Sequence, residues 1–90
     1  MTELLSEKIT IVNKLGLHAR AAAKFVKTAI NYSSEISLSK GELDANGKSI
    51  MGILMLAAEK GNQVTLSVKG SDQKLAFSTL KKLIKNGFGE

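Results

Sequence analysis

The chain has one histidine and one arginine, His18 and Arg20, and they stand two positions apart in Leu15-Gly16-Leu17-His18-Ala19-Arg20. An imidazole can attack an electrophile through one ring nitrogen while the other holds a proton, and a guanidinium offers a planar fork of donors that fits phosphate oxygens. Together they suit covalent transfer of a phosphoryl group. A lone histidine is ordinarily a surface or structural residue, so its surroundings decide. Gly16 permits a tight turn just before it. Directly afterwards Ala22, Phe25, Val26, Ala29 and Ile30 recur at helical spacing. His18 is therefore expected at the N-cap or first position of a helix. The free backbone N–H groups of Ala19, Arg20 and Ala21 would form an anion site at the positive helix end. That end also favours the neutral, nucleophilic ring. The nearest acids in sequence, Glu7 and Glu35, carry no signal that places either beside the histidine. The expected chemistry is a covalent acceptor and donor, not the full active site of a hydrolase.

The elements that must position this stretch follow from periodicity. Lys8 to Val12 alternates, with Ile9 and Ile11 apolar, and reads as a strand; the helix from His18 ends at Asn31 and Ser33-Ser34. Glu35 to Lys40 is a second strand with Ile36 and Leu38 inward. After the Lys40-Gly41 turn comes a short strand with Leu43 and Ala45 inward, then the Asn46-Gly47 turn. Ser49 caps a helix from Ile50 to about Glu59, stopped by Lys60-Gly61. Gln63 to Lys69 alternates around Val64, Leu66 and Val68. Ser71 or Asp72 caps a last helix with the stripe Ala76, Leu80, Leu83 and Ile84, and Asn86-Gly87 stops it. The order β-α-β-β-α-β-α, with one apolar and one polar face on every strand, predicts an α+β open-faced sandwich. Its four-stranded antiparallel sheet carries three helices on one face. A ferredoxin-like topology shares most of this order.

Ninety residues make a single domain, spanning 1–90. The absence of cysteine and the single histidine exclude a disulfide framework and a multi-histidine zinc site, so no metal and no cofactor are expected. No apolar run approaches the roughly 20 residues of a membrane span, and the start lacks a basic-then-apolar signal layout. The expectation is a cytoplasmic monomer without membrane insertion. A net charge of +5 would allow a basic nucleic-acid-binding module. Such a module needs aromatic rings on the polar strand face, where Thr10, Ser37, Thr65 and Ser67 stand instead. Gly41 to Ser49 imitates a phosphate loop, but five residues separate its glycines where that motif has four.

The second helix is apolar almost all round, through Ile50, Met51, Ile53, Leu54, Met55 and Leu56. A domain this small cannot bury every face of it, and an exposed methionine surface suits docking to several partners. Ser49 has a plain role as a helix cap, contributing about 1 kcal/mol. A phosphate there would put about two negative charges beside the apolar helix.

Gly16-Leu17-His18-Ala19-Arg20 resembles the active-site motif of the HPr family, the small phosphocarriers of the phosphoenolpyruvate-dependent phosphotransferase system. Lys48-Ser49-Ile50-Met51-Gly52 resembles that family's second signature, around a regulatory serine. The element order and the Gly61 and Gly70 turns match too, so the resemblance covers nearly the whole chain. The ending Asn86-Gly87-Phe88-Gly89-Glu90 is similar to HPr and to its nitrogen-related paralogue NPr. The resemblance implies a carrier rather than an enzyme. His18 would be phosphorylated on Nδ1 by Enzyme I and would pass the group to an enzyme IIA domain, with Arg20 assisting both transfers. The docking face would join the start of the first helix, including Lys27, to Ile50, Met51, Leu54 and Met55. Ser49 would be the site modified by HPr kinase/phosphorylase. The alternative within the family is a mainly regulatory protein of nitrogen or carbon control. The family usually has proline directly after the arginine. Ala21 replaces it here and restores a backbone donor.

Overall fold

Four alternating segments pair into one antiparallel sheet in the computed structural model, which describes residues 3–90. They are β1 (Leu5–Thr10), β2 (Glu35–Lys40), β3 (Leu43–Asn46) and β4 (Gln63–Lys69), in spatial order β1-β4-β2-β3. The last strand thus enters between the first and the second. Its register sets Val68 opposite both Leu5 and Ile36, and Leu66 opposite Leu38. Because side chains alternate across a strand, this register collects Ile9, Ile36, Leu38, Ala45, Val64, Leu66 and Val68 on one buried face. The opposite face is open and hydroxyl-rich, with the Oγ atoms of Ser6 and Ser67 3.2 Å apart. None of the four aromatic rings stands there: Phe25 and Phe88 are wholly buried, and Tyr32 and Phe77 pack against the core.

Three helices cover the apolar face: α1 (Ala19–Ala29), α2 (Ile50–Met55) and α3 (Gln73–Lys85). The helical spacing read in the sequence is buried except at Ile30, which is 59% exposed because α1 ends at Ala29 and leaves it as the C-cap. Helix α1 sinks Ala21, Ala22, Phe25, Val26 and Ala29, and α3 sinks Ala76, Leu80 and Ile84. Leu83 lies at the edge of the core. Removing one such large side chain from water stabilises the fold by about 1.5–3 kcal/mol.

Four local expectations are corrected. First, β1 begins at Leu5 and ends at Thr10, earlier than the alternation suggested. Glu7 breaks the pattern, because it lies on the inward side between Leu5 and Ile9 and accepts a 2.9 Å hydrogen bond from Lys81 Nζ on α3. Second, α2 has six residues and stops at Met55. Ala57 turns to a left-handed φ of 48°, so the helix ends without a glycine and Lys60-Gly61 forms a later turn. Third, Leu43 is 55% exposed. It pairs with Lys40 at the hairpin end of an edge strand, whereas α2 lies over Ala45. Fourth, Asp72 precedes α3 as expected but does not cap it with its side chain. Its carboxylate instead accepts hydrogen bonds from the N–H groups of Ser33 (2.8 Å) and Ser34 (3.0 Å) and from both serine hydroxyls. This ties the end of α1 to the start of α3.

Candidate functional site

His18 is the N-cap residue of α1, with extended backbone (φ −73°, ψ 177°), and its carbonyl accepts the Ala22 N–H at 2.9 Å. An N-cap side chain usually accepts a hydrogen bond from the second or third helical N–H. The His18 ring makes no such bond. The N–H groups of Ala19, Arg20 and Ala21 therefore have neither an intrahelical carbonyl nor a side-chain cap. Ala19 and Arg20 are exposed, but Ala21 is wholly buried. Two of the three expected donors thus belong to exposed residues, and Arg20 is one of them. The chain is steered into this position by Gly16 and Leu17. Gly16 has φ +64°, and a Cβ there would lie 2.4 Å from the Ala58 carbonyl oxygen. That same oxygen accepts the Leu17 N–H at 2.9 Å, and the Leu17 side chain is buried.

The residue that completes the site lies 72 positions away. Glu90 Oε2 stands 2.5 Å from His18 Nε2, with the two side chains 16% and 25% exposed. The other oxygen, Oε1, accepts from Asn13 Nδ2 at 3.0 Å. A turn after α3 delivers Glu90: Gly87, Phe88 and Gly89 all adopt left-handed φ values, of 63°, 58° and 75°. Phe88 is wholly buried in the core, and its carbonyl accepts from Lys24 Nζ at 2.8 Å. Partial desolvation pushes the Glu90 carboxyl up. The hydrogen bonds from Asn13 and His18, with the positive charges of His18 and Arg20, outweigh it and hold the carboxyl below its usual range. An ionised carboxylate can only accept, so the proton of a neutral His18 ring sits on Nε2 and the lone pair on Nδ1. Nδ1 has no hydrogen-bond partner among the described residues.

Sequence reasoning missed Glu90 and looked to Glu7 and Glu35, which are elsewhere. Glu7 is held by Lys81, and Glu35 is exposed at the start of β2, opposite Lys69. The available cue was Phe88. A large apolar residue between two glycines, just past a helix stop, signals a segment that turns back into the core.

The second motif lies on α2. Ser49 is its N-cap, and Ser49 Oγ accepts the Gly52 N–H at 3.0 Å. Ile50, Met51 and Met55 are 42%, 68% and 74% exposed, whereas Leu54 is half-buried against the core. Helix α2 packs beside α1. Lys27 is exposed but stands in the last turn of α1, not near its start. Among the described residues no cluster of metal-binding side chains occurs, and no helix is long and apolar enough to cross a membrane.

These features have counterparts in known proteins. Residues 5–86 match the family model for the PTS HPr component phosphorylation site. The phosphocarrier protein HPr of Neisseria meningitidis serogroup A is 48% identical over 97% of this chain and 98% of its own. The phosphocarrier protein NPr of Shewanella violacea is 41% identical over 96% of this chain and 94% of its own. The crystal structure of HPr-C-His from Thermoanaerobacter tengcongensis superposes with a TM-score of 0.91 at 48% identity, covering 96% of this chain and 97% of that one. With the sheet order, the helix mouth and both motifs in register, the chain belongs to the HPr family of the phosphotransferase system.

Proposed function

We propose that this protein is a phosphoryl carrier that loads and unloads its phosphoryl group at Nδ1 of His18. The observation that carries the reading is the Glu90 carboxylate on Nε2, which leaves the lone pair on Nδ1 at the open helix mouth. In the loading step that lone pair forms a bond to phosphorus. The donor's own bond to phosphorus breaks, and its electron pair stays with the donor. The Nε2 proton remains between the ring and Glu90, so the ring is a cation while phosphorylated and leaves phosphorus readily in the reverse direction. The N–H groups of Ala19 and Arg20 and the Arg20 guanidinium receive the phosphoryl oxygens. The Ala21 N–H is buried and takes no part.

The donor is phosphorylated Enzyme I and the acceptors are enzyme IIA domains. They dock on the exposed apolar residues Ile50, Met51 and Met55, with Lys27 at the rim and Leu54 as support beneath. Ser49 is a regulatory phosphorylation site for HPr kinase/phosphorylase. Its phosphate would set a dianion beside Ile50 and Met51 and weaken docking to an acidic or apolar partner. Incubation with Enzyme I and phosphoenolpyruvate, read by intact mass, tests the central assignment. One acid-labile phosphoryl adduct is expected on the natural protein and none on His18→Ala. An adduct that persists in the variant would refute the site.

A further inference from the structure

Asn13 is 5% exposed, and among the described residues it is the one buried side chain with an unpartnered nitrogen or oxygen, Oδ1. Both hydrogens of its Nδ2 are used. One goes to the Gly16 carbonyl at 2.7 Å, in the turn that leads to His18; the other goes to Glu90 Oε1 at 3.0 Å. The Asn13 backbone carbonyl also accepts the Gly16 N–H at 3.1 Å. Gly87 packs directly on the residue, since a Cβ at Gly87 would lie 3.3 Å from Asn13 Cβ. One amide therefore joins the turn that sets His18 to the segment that carries Glu90.

An apolar residue of similar size would fill this position without burying an acceptor that nothing satisfies. The half-satisfied amide is explained by its donors. We infer that Asn13 is a positioning residue for phosphoryl exchange: its Nδ2 anchors the Glu90 carboxylate on His18 Nε2, and so fixes which ring nitrogen bonds phosphorus. The inference rests on His18 being the phosphoryl acceptor. Asn13 itself touches neither the ring nor the incoming group and acts only through Glu90. The same hydrogen bond helps keep Glu90 ionised, against the desolvation that would protonate it.

Glu90→Gln separates the parts of this chain. The carbonyl oxygen of the substituted side chain could still accept from Asn13, but its amide nitrogen would then donate to Nε2, moving the ring proton to Nδ1 and blocking attack. The test has two readouts. The first is the His18 Nε2–H resonance of unphosphorylated, 15N-labelled protein. It is expected downfield and protected from exchange in the natural protein, and lost in Asn13→Ala and in Glu90→Gln. The second is the rate of phosphoryl acceptance from Enzyme I. Asn13→Ala is expected to slow it roughly ten- to a hundredfold, as misplacement of a catalytic group does. The double variant should be no slower than Glu90→Gln alone. A protected Nε2–H resonance in Asn13→Ala, or slowing factors that multiply in the double variant, would overturn the inference. If Asn13→Ala unfolds, Asn13→Ser retains a shorter donor and is held to the same two readouts. Failure of the natural protein to accept phosphoryl would sink the carrier reading, while the resonance would still decide the role of Asn13.

Discussion

Replacing Gly16 by alanine tests the geometry that sets His18, and a second glycine supplies the control. Gly16 and Gly61 both adopt left-handed φ, +64° and +92°. A side chain in that region costs about 1–2 kcal/mol at either position. The difference lies in what the new methyl group meets. At Gly61 nothing lies within 4 Å, whereas at Gly16 the Ala58 carbonyl oxygen is 2.4 Å away and the Glu59 Cα 2.9 Å. Both neighbours are backbone, so the loop must lift, and the Leu17 N–H to Ala58 bond is lost with it. That bond contributes about 1 kcal/mol. With some displacement of the buried Leu17, Gly16→Ala is expected to cost about 2–4 kcal/mol and Gly61→Ala about 1–2 kcal/mol. In a domain of this size, at about 5 °C per kcal/mol, that corresponds to melting-temperature losses of roughly 10–20 °C and 5–10 °C. Thermal unfolding followed by circular dichroism measures both. Equal losses would refute the claim that the close approach to Ala58, rather than φ alone, demands glycine beside the histidine.

Two further outcomes follow from the structure. The hydrogen bond from the Ser34 hydroxyl, then those from the Ser33 and Ser34 backbone and the Ser33 hydroxyl, lower the Asp72 carboxyl to about 2, against the partial desolvation that opposes them. A carboxyl depressed in the folded state stabilises above its unfolded value, 3.8, and loses that contribution as pH falls through about 2. Asp72→Asn should therefore melt lower than the natural protein at neutral pH, and the two curves should converge as the acid end is reached. A gap independent of pH would contradict the assignment. Ala21→Pro should retain phosphoryl acceptance, because the buried Ala21 N–H serves no solvent-facing ligand and a first-turn proline breaks no helical hydrogen bond. Its measurement is the initial rate with Enzyme I, and a loss beyond about tenfold, worth some 1.4 kcal/mol, would show that the alanine is needed.

What the sequence made legible was whatever is periodic or local. The alternation of β2 and β4, the helix start after His18 and the Ser49 cap depend on neighbours within a few residues, and the structure has them where they were read. Glu7 hid the first residues of β1 because a carboxylate on the inward face is legible only once Lys81 is known to meet it. The end of α2 was hidden because Ala57 takes a conformation more typical of glycine, while the apolar pattern runs on through Leu56 and Ala58. Leu43 was misjudged because alternation gives a face but not whether a helix covers it. In the site, His18 and Arg20 announced themselves by type and spacing. Glu90 and Asn13 did not. Their roles come from the left-handed turn at 87–89 and the burial of Phe88, which bring sequence-distant groups together.

The central place of β4 has a consequence for how the chain is made. Leu5 is paired with Val68, across 63 positions, and Ile36 with the same residue from the other side. Until residues 63–69 have left the ribosome, β1 has no neighbour and β2 has only the short β3. The nascent chain can form the β2–β3 hairpin and a frayed first helix, but it has no sheet on which to set its core. Such non-local pairing delays the rate-limiting closure and favours all-or-none folding. A chain halted before Gln63 therefore holds His18 and Arg20 with no platform to present them and without the Glu90 that meets the ring.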